Sequence, residues 1–156
     1  MIATTQELRK AKVSDVPEIF QLIAYWAEQG RMLVRSQRHL YENLRDFYVV
    51  RGENRLWAVG ALHVLSGEIG EIRGLAVHPE VKSRGLGSSL VAACESEARE
   101  LGLPRVFAWT LEAGFFARLG YRETTRAQLP EAVSDECGVC PFQARCIEIA
   151  MLKELK

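Results

Sequence analysis

Gly85 and Gly87 lie in the string Lys82-Ser83-Arg84-Gly85-Leu86-Gly87-Ser88, just ahead of an apolar-periodic stretch that runs to Leu101. Glycines at this spacing permit a tight turn whose backbone N–H groups are exposed and unobstructed by side chains. A helix over Ser88–Leu101 adds its own unpaired N–H groups and the positive end of its dipole. Together, turn and helix end form a cradle for a phosphate. Lys82 adds positive charge at the opening of the string, but as a point charge and not the planar fork of an arginine. The missing features narrow the choice of anion. No Gly-x-x-x-x-Gly-Lys-Ser/Thr follows Gly85, and a dinucleotide fingerprint would need a small residue where Leu90 stands. A Gly-x-Gly alone is as often a plain helix entry as an anion site.

Other residues could take part in chemistry. Glu71 opens the run Glu71-Ile72-Arg73-Gly74-Leu75-Ala76-Val77-His78-Pro79. Ile72, Leu75 and Val77 suit a strand, and Pro79 cannot donate to a ladder, so pairing should stop near His78. Gly74 inside that strand points to a bulge or a close backbone approach. Arg35, in Arg31-Met32-Leu33-Val34-Arg35-Ser36, offers the rigid fork that grips a carboxylate in two places. An arginine beside apolar residues at a helix entry is, however, more often simply solvated. Cys137, Cys140 and Cys146 give a Cys-x-x-Cys followed by a third cysteine, a partial zinc or cluster spacing. No fourth ligand follows locally, and His39, His63 and His78 are distant in sequence. Free thiols, a redox pair and a metal completed across a homodimer all stay open. Metal is the minority reading, because a Cys-x-x-Cys alone is not a site.

These residues need a scaffold, and 156 residues are enough for one domain over 1–156, with the cysteine segment 134–146 inside it. The 20 basic and 20 acidic residues balance, so no long-range field favours nucleic acid or membrane. No apolar run approaches the ~20 residues of a spanning helix, and the amino terminus lacks the plan of a signal peptide. The expectation is a cytoplasmic protein with reduced cysteines.

Periodicity predicts a first strand over Leu8–Val13. Asp15 and Glu18 have the spacing of a capping box, with Pro17 in the first turn. Val16, Ile19, Phe20, Ile23 and Trp26 or Ala27 then recur at helical spacing, with Gly30 as the stop, and are read as core. A second helix is expected over Ser36–Asp46. An antiparallel pair follows at Phe47–Arg51 and Leu56–Leu65. The central strand and its helix come next, then a strand at Arg105–Leu111 and a short helix at Ala113–Leu119. Strands near Tyr121–Arg126 and Ile147–Leu152 complete an α/β architecture, a mixed central sheet with helices on both faces.

The strings Leu75-Ala76-Val77-His78-Pro79 and Arg84-Gly85-Leu86-Gly87-Ser88-Ser89-Leu90 together resemble the acetyl-CoA motif of the GNAT superfamily of N-acetyltransferases. The resemblance implies that the main chain of Lys82, Ser83, Arg84, Gly85, Leu86, Gly87 and Ser88 holds the CoA pyrophosphate. It also implies that the edge at Leu75, Ala76 and Val77 pairs with pantetheine. Phe115-Phe116-Ala117-Arg118-Leu119-Gly120-Tyr121 also resembles these enzymes, but Phe116 stands where many carry a tyrosine that protonates the departing thiolate. Further strings (Gly60-Ala61-Leu62-His63, Gly70-Glu71-Ile72 and Phe107-Ala108-Trp109-Thr110, with the arginine string above) resemble the acetyltransferase domain of N-acetylglutamate synthase, in its short single-domain form. That likeness implies acetyl transfer from acetyl-CoA to the α-amine of glutamate, the entry to arginine synthesis. It makes Glu71 the general base, Thr110 the residue assisting the thiolate, and Arg35 a grip on a substrate carboxylate. Backbone from Leu33 and Gly74 lies nearby, and Arg145 is a loose match for a second cation.

The chemistry agrees with those roles. An ammonium has no lone pair until it loses a proton, so amide formation needs a base beside the acceptor. Glu71 can relay that proton through ordered water; its plainer reading is a solvated strand-end charge, and His63 is a rival base. Another amino acid, a small amine or a protein N-terminus as acceptor, or a non-catalytic acetyl-CoA sensor, are the alternatives.

Overall fold

The computed structural model describes residues 6–82, 84–130, 133 and 148–155. The strands are β1 (Glu7–Lys10), β2 (Phe47–Arg51), β3 (Leu56–Ser66), β4 (Ile69–Val77), β5 (Arg105–Thr110), β6 (Arg122–Thr124) and β7 (Ile149–Glu154). The helices are α1 (Val16–Glu28), α2 (Gln37–Glu42), α3 (Leu86–Leu101) and α4 (Ala113–Arg118). The seven strands among the described residues are ordered β1-β2-β3-β4-β5-β7-β6. β1–β2, β2–β3, β5–β7 and β6–β7 are antiparallel and β4–β5 is parallel, which makes the sheet mixed, as expected. The residues group into two compact units: the chain up to Leu62 with Gly74–Cys94, and His63–Arg73 with the chain from Glu95 onward.

In the first unit the sheet's period of two sorts its side chains between two helical layers. Phe47, Val49, Val59, Ala61 and Ala76 pack against Val16, Ile19, Leu22 and Ile23 of α1 and Leu40 of α2. The alternate residues Tyr48, Val50, Ala58, Leu75 and Val77 pack against Leu86 and Leu90 of α3. Helices therefore cover both faces here. In the second unit Ile69, Phe107, Trp109, Ala150 and Leu152 share one cluster with Leu129 and Val133. Away from that cluster, Glu95 of α3 is buried and accepts from the Tyr121 hydroxyl at 2.6 Å and from Lys153 Nζ at 3.1 Å.

Several expected boundaries shift, each for a local reason. β1 ends at Lys10, because Val13–Asp15 coils into a 3-10 turn that leads straight into α1. Asp15 does not cap α1 with its side chain. It is 2 % exposed and accepts from Arg9 (2.8 and 3.2 Å), Arg51 (3.2 Å) and the Lys12 N–H (2.7 Å). Burial pushes the Asp15 carboxyl up, but the bonds from Arg9 and Lys12 and the charges of Arg9 and Arg51 outweigh burial and hold it below its ordinary value. Glu18, the other half of the expected box, instead pairs with Arg51 at 2.8 Å and accepts from the Leu56 N–H. The second helix stops at Glu42 and gives way to a 3-10 turn over Leu44–Asp46. Ser36 caps its start, the Oγ accepting from the His39 N–H at 3.0 Å. β4 ends at Val77, and the His78 N–H makes a final bond to the Trp57 carbonyl at 2.7 Å before Pro79.

Candidate functional site

In the first unit, α3 begins at Leu86 and not at Ser88, so Gly87 belongs to the first helical turn. The turn itself is made by Gly85, at φ +83°, whose carbonyl accepts the Ser89 N–H at 3.1 Å and the Ser89 hydroxyl at 3.1 Å. The amides of Leu86, Gly87 and Ser88 are thereby the first-turn donors of a helix of 16 residues, with no acidic residue in that turn to compete for them. A Cβ built on Gly85 would meet nothing within 4 Å, so a ligand can approach the main chain there. Arg84 is exposed beside it. Lys82 Nζ lies 5.2 Å from the centre of the Trp26 ring, and the Trp26 indole N–H donates to the Val77 carbonyl at 3.0 Å. Trp26 therefore ties the string to the end of β4. Sequence reasoning had counted it only as core. Ser83 lies outside the described residues.

Upstream on β4, Ala76 is buried against α1, while Leu75 and Val77 pack on the α3 side. Gly74 takes φ +64°, and a Cβ there would come within 3.3 Å of Phe47 Cε1. That is the close backbone approach its place in the sequence foretold, within a strand that runs on through it. Leu33 and Arg35 are half-buried in the stretch between α1 and α2. Met32 packs into the core on one side of that stretch, and capped α2 anchors the other.

The second unit holds the expected base. Glu71 is 7 % exposed, so it is no solvated strand end. Its Oε1 accepts from Arg73 Nη2 at 2.7 Å. Residues two apart on a strand share a face, so this partner was readable from the sequence and was missed. Glu71 pairs in register with Phe107 of β5. Thr110 closes β5, 8 % exposed, and its Oγ1 accepts the Glu112 N–H at 2.7 Å. An accepting hydroxyl keeps its own proton to donate. Phe116 is buried edge-on between Phe115 and Tyr121, and the Tyr121 hydroxyl is committed to Glu95. The rival base His63 sits half-buried on β3. Arg145, Cys137, Cys140 and Cys146 lie outside the described residues; Cys94, within α3, is buried. No helix among the described residues is long and apolar enough to cross a membrane.

The model of the acetyltransferase (GNAT) family matches residues 6–121. The chain belongs to this family. As a GNAT acetyltransferase it is an acyltransferase that depends on acetyl-CoA. It is 35 % identical to an uncharacterized N-acetyltransferase of Chlorobaculum tepidum, over 95 % of this chain and 96 % of that one. It is 38 % identical to an amino-acid acetyltransferase of Mycobacterium tuberculosis, over 83 % of this chain and 75 % of the relative. In structure this GNAT chain resembles N-acetylglutamate synthase from Neisseria gonorrhoeae complexed with coenzyme A and N-acetyl-glutamate. The TM-score is 0.89 at 27 % identity, covering 98 % of this chain and 36 % of that one.

Proposed function

We propose that this GNAT acetyltransferase moves acetyl from acetyl-CoA to the α-amine of L-glutamate, the reaction that opens arginine synthesis, and that residues 1–156 act as a single catalytic domain. The observation that carries this reading is Glu71, a buried carboxylate oriented by Arg73, on the same strand as Gly74 and the Leu75–Val77 edge. The names of the amino-acid acetyltransferase and N-acetylglutamate synthase relatives support the acceptor.

The residues present fit coenzyme A. An open glycine turn and a helix start without acidic residues suit a diphosphate. The main chain from Lys82 to Ser88 holds it, and the Leu75, Ala76 and Val77 edge lies alongside pantetheine. Acetyl-CoA supplies a thioester, an acyl group activated toward an amine. Glu71, its orientation fixed by Arg73, takes the ammonium proton through water and so exposes the lone pair. Backbone N–H groups near Leu75–Val77 donate to the oxygen as negative charge develops on it. Thr110 donates its hydroxyl proton as a hydrogen bond to the departing sulfur. With thiol pKa values near ~8.5, hydrogen-bond assistance suffices and full protonation is not required. Arg35 grips one acceptor carboxylate, with main chain from Leu33 and Gly74 beside it, and Arg145 is the family-based candidate for the other.

The test is a panel of amino acids with acetyl-CoA, followed by released thiol. Glutamate preferred at least tenfold over aspartate, glutamine and leucine supports the proposal. Equal rates, or preference for another amine, reject glutamate as the acceptor.

A further inference from the structure

A cavity of about 400 Å³ opens where β5, β6 and β7 meet, lined by Trp109, Thr124, Thr125, Arg126, Glu148 and Ala150. The strand register decides which side chains face it. Trp109 pairs with Ala150, and Ala150 with Thr124, so these three project from one face of the sheet. Glu123 also borders the cavity, and pairs in register with Met151, one position along from Ala150. Phe107, two residues before Trp109, shares its face, and their rings meet edge-on at 6.0 Å. Phe107 is the register partner of Glu71, whose side chain therefore leaves the sheet on this same face. At ~3.3 Å per residue, Trp109 stands only ~7 Å beyond the base's strand neighbour. The cavity thus opens on the face of the second unit from which the base projects.

Its cation is Arg126. The guanidinium carbon lies 6.0 Å from the centre of the Trp109 ring, and no ion pair to a described residue engages it. Arg126 opens a short 3-10 turn pinned by the Gln128 N–H to the Thr125 carbonyl at 3.0 Å and by the Thr124 hydroxyl to Gln128 at 3.1 Å. The fork is therefore carried on a braced segment, which lowers the ordering cost of binding. Glu148 lines the same cavity and opposes an anion, but it already has an interaction of its own. The volume falls near the lower end for small-molecule sites and is ample for an amino acid.

We propose that Arg126 is a specificity-determining residue: against the Trp109 face it grips the side-chain carboxylate of the acceptor amino acid. This rests on the reading of the chain as a glutamate acetyltransferase. A dicarboxylate acceptor calls for a cation at its side-chain end, and Arg126, on the base's face, takes that place instead of Arg145.

The experiment compares wild type, Arg126→Gln and Arg126→Lys by two readouts. The first is calorimetric binding of glutarate, a dicarboxylate that has no amine to acetylate. The second is kcat and KM for glutamate and for glutamine. In Arg126→Gln the expected result is a glutamate KM raised about 10- to 100-fold, the size of a lost charge-assisted pair. Glutarate binding should weaken by a similar factor, glutamine KM should move less than threefold, and kcat should fall less than threefold. Arg126→Lys, which keeps charge but not the fork, should lie between. A folded Arg126→Gln protein with unchanged glutamate KM and glutarate affinity would overturn the inference while leaving glutamate turnover intact. Conversely, wild type that binds glutarate through Arg126 without acetylating glutamate would reject the proposed reaction but not the grip. Wild type that does neither would remove both.

Discussion

Replacing Glu71 by Gln separates chemistry from structure, because the two costs differ in size. Glu71 and Arg73 pair at 2.7 Å with side chains only 9 % and 11 % exposed. Glutamine keeps an oxygen for the guanidinium but loses the charge, a loss of about 1–3 kcal/mol of folding stability. A domain of this size starts from about 5–15 kcal/mol. Even from the bottom of that range, losing about 3 leaves about 2 kcal/mol, and roughly 97 % of the molecules stay folded. Unfolding therefore accounts for a few per cent of lost activity at most. Loss of a general base, by contrast, costs about 10²- to 10⁴-fold in rate. The assay is the initial rate of thiol release at saturating acetyl-CoA and acceptor, with melting temperature measured alongside. The expected variant melts several degrees lower, binds acetyl-CoA as before and turns over at least a hundredfold more slowly. Its residual rate should climb more steeply with pH than wild type, because only amine that is already neutral can react. A folded Glu71→Gln enzyme within threefold of wild-type kcat, with an unchanged pH profile, would refute the assignment.

Gly85→Ala forces a side chain onto φ +83°, which should cost about 1–2 kcal/mol of stability and raise the acetyl-CoA KM with little effect on acceptor KM. Thr110→Val should lower kcat about tenfold, whereas Thr110→Ser, which keeps the hydroxyl, should retain most of it; equal rates in both variants would remove the hydroxyl from the reaction. Asp15→Asn should destabilise the fold by about 2–4 kcal/mol at neutral pH, as measured by urea unfolding. Because the folded-state pKa of Asp15 is lowered, wild type holds this advantage above the unfolded value near ~3.9 and loses it as pH falls through the folded value. The gap between wild type and variant should therefore close in acid, and a gap independent of pH would contradict the assignment.

Features that depend on neighbours in sequence were readable in advance. The anion turn was legible because glycine placement and a helix start are local, although the sequence did not say which of Gly85 and Gly87 would take positive φ. It is Gly85, because its carbonyl receives the first helical bond from Ser89. Gly74 was legible for the same reason, as a glycine inside a strand where the backbone is closely approached. Asp15 misled because Asp-x-x-Glu looks like a cap. What commits its carboxylate is Arg51, 36 positions away, together with Arg9, and no local pattern reports such a partner. The Glu71–Arg73 pair was available from the period of the strand alone. Trp26 looked like one more core residue of an amphipathic helix, and its bond to the Val77 carbonyl spans 51 positions. The placement of Arg126 beside Trp109 depends on the β5–β7–β6 register, which strand propensities do not encode.

The most direct measurement is identification of the product formed from acetyl-CoA and L-glutamate by mass spectrometry and NMR. The account predicts one acetyl group, on the α-nitrogen, formed in step with released thiol and abolished in Glu71→Gln. Thiol release without N-acetylglutamate, or no acetylation of glutamate by a protein that binds acetyl-CoA, would contradict it.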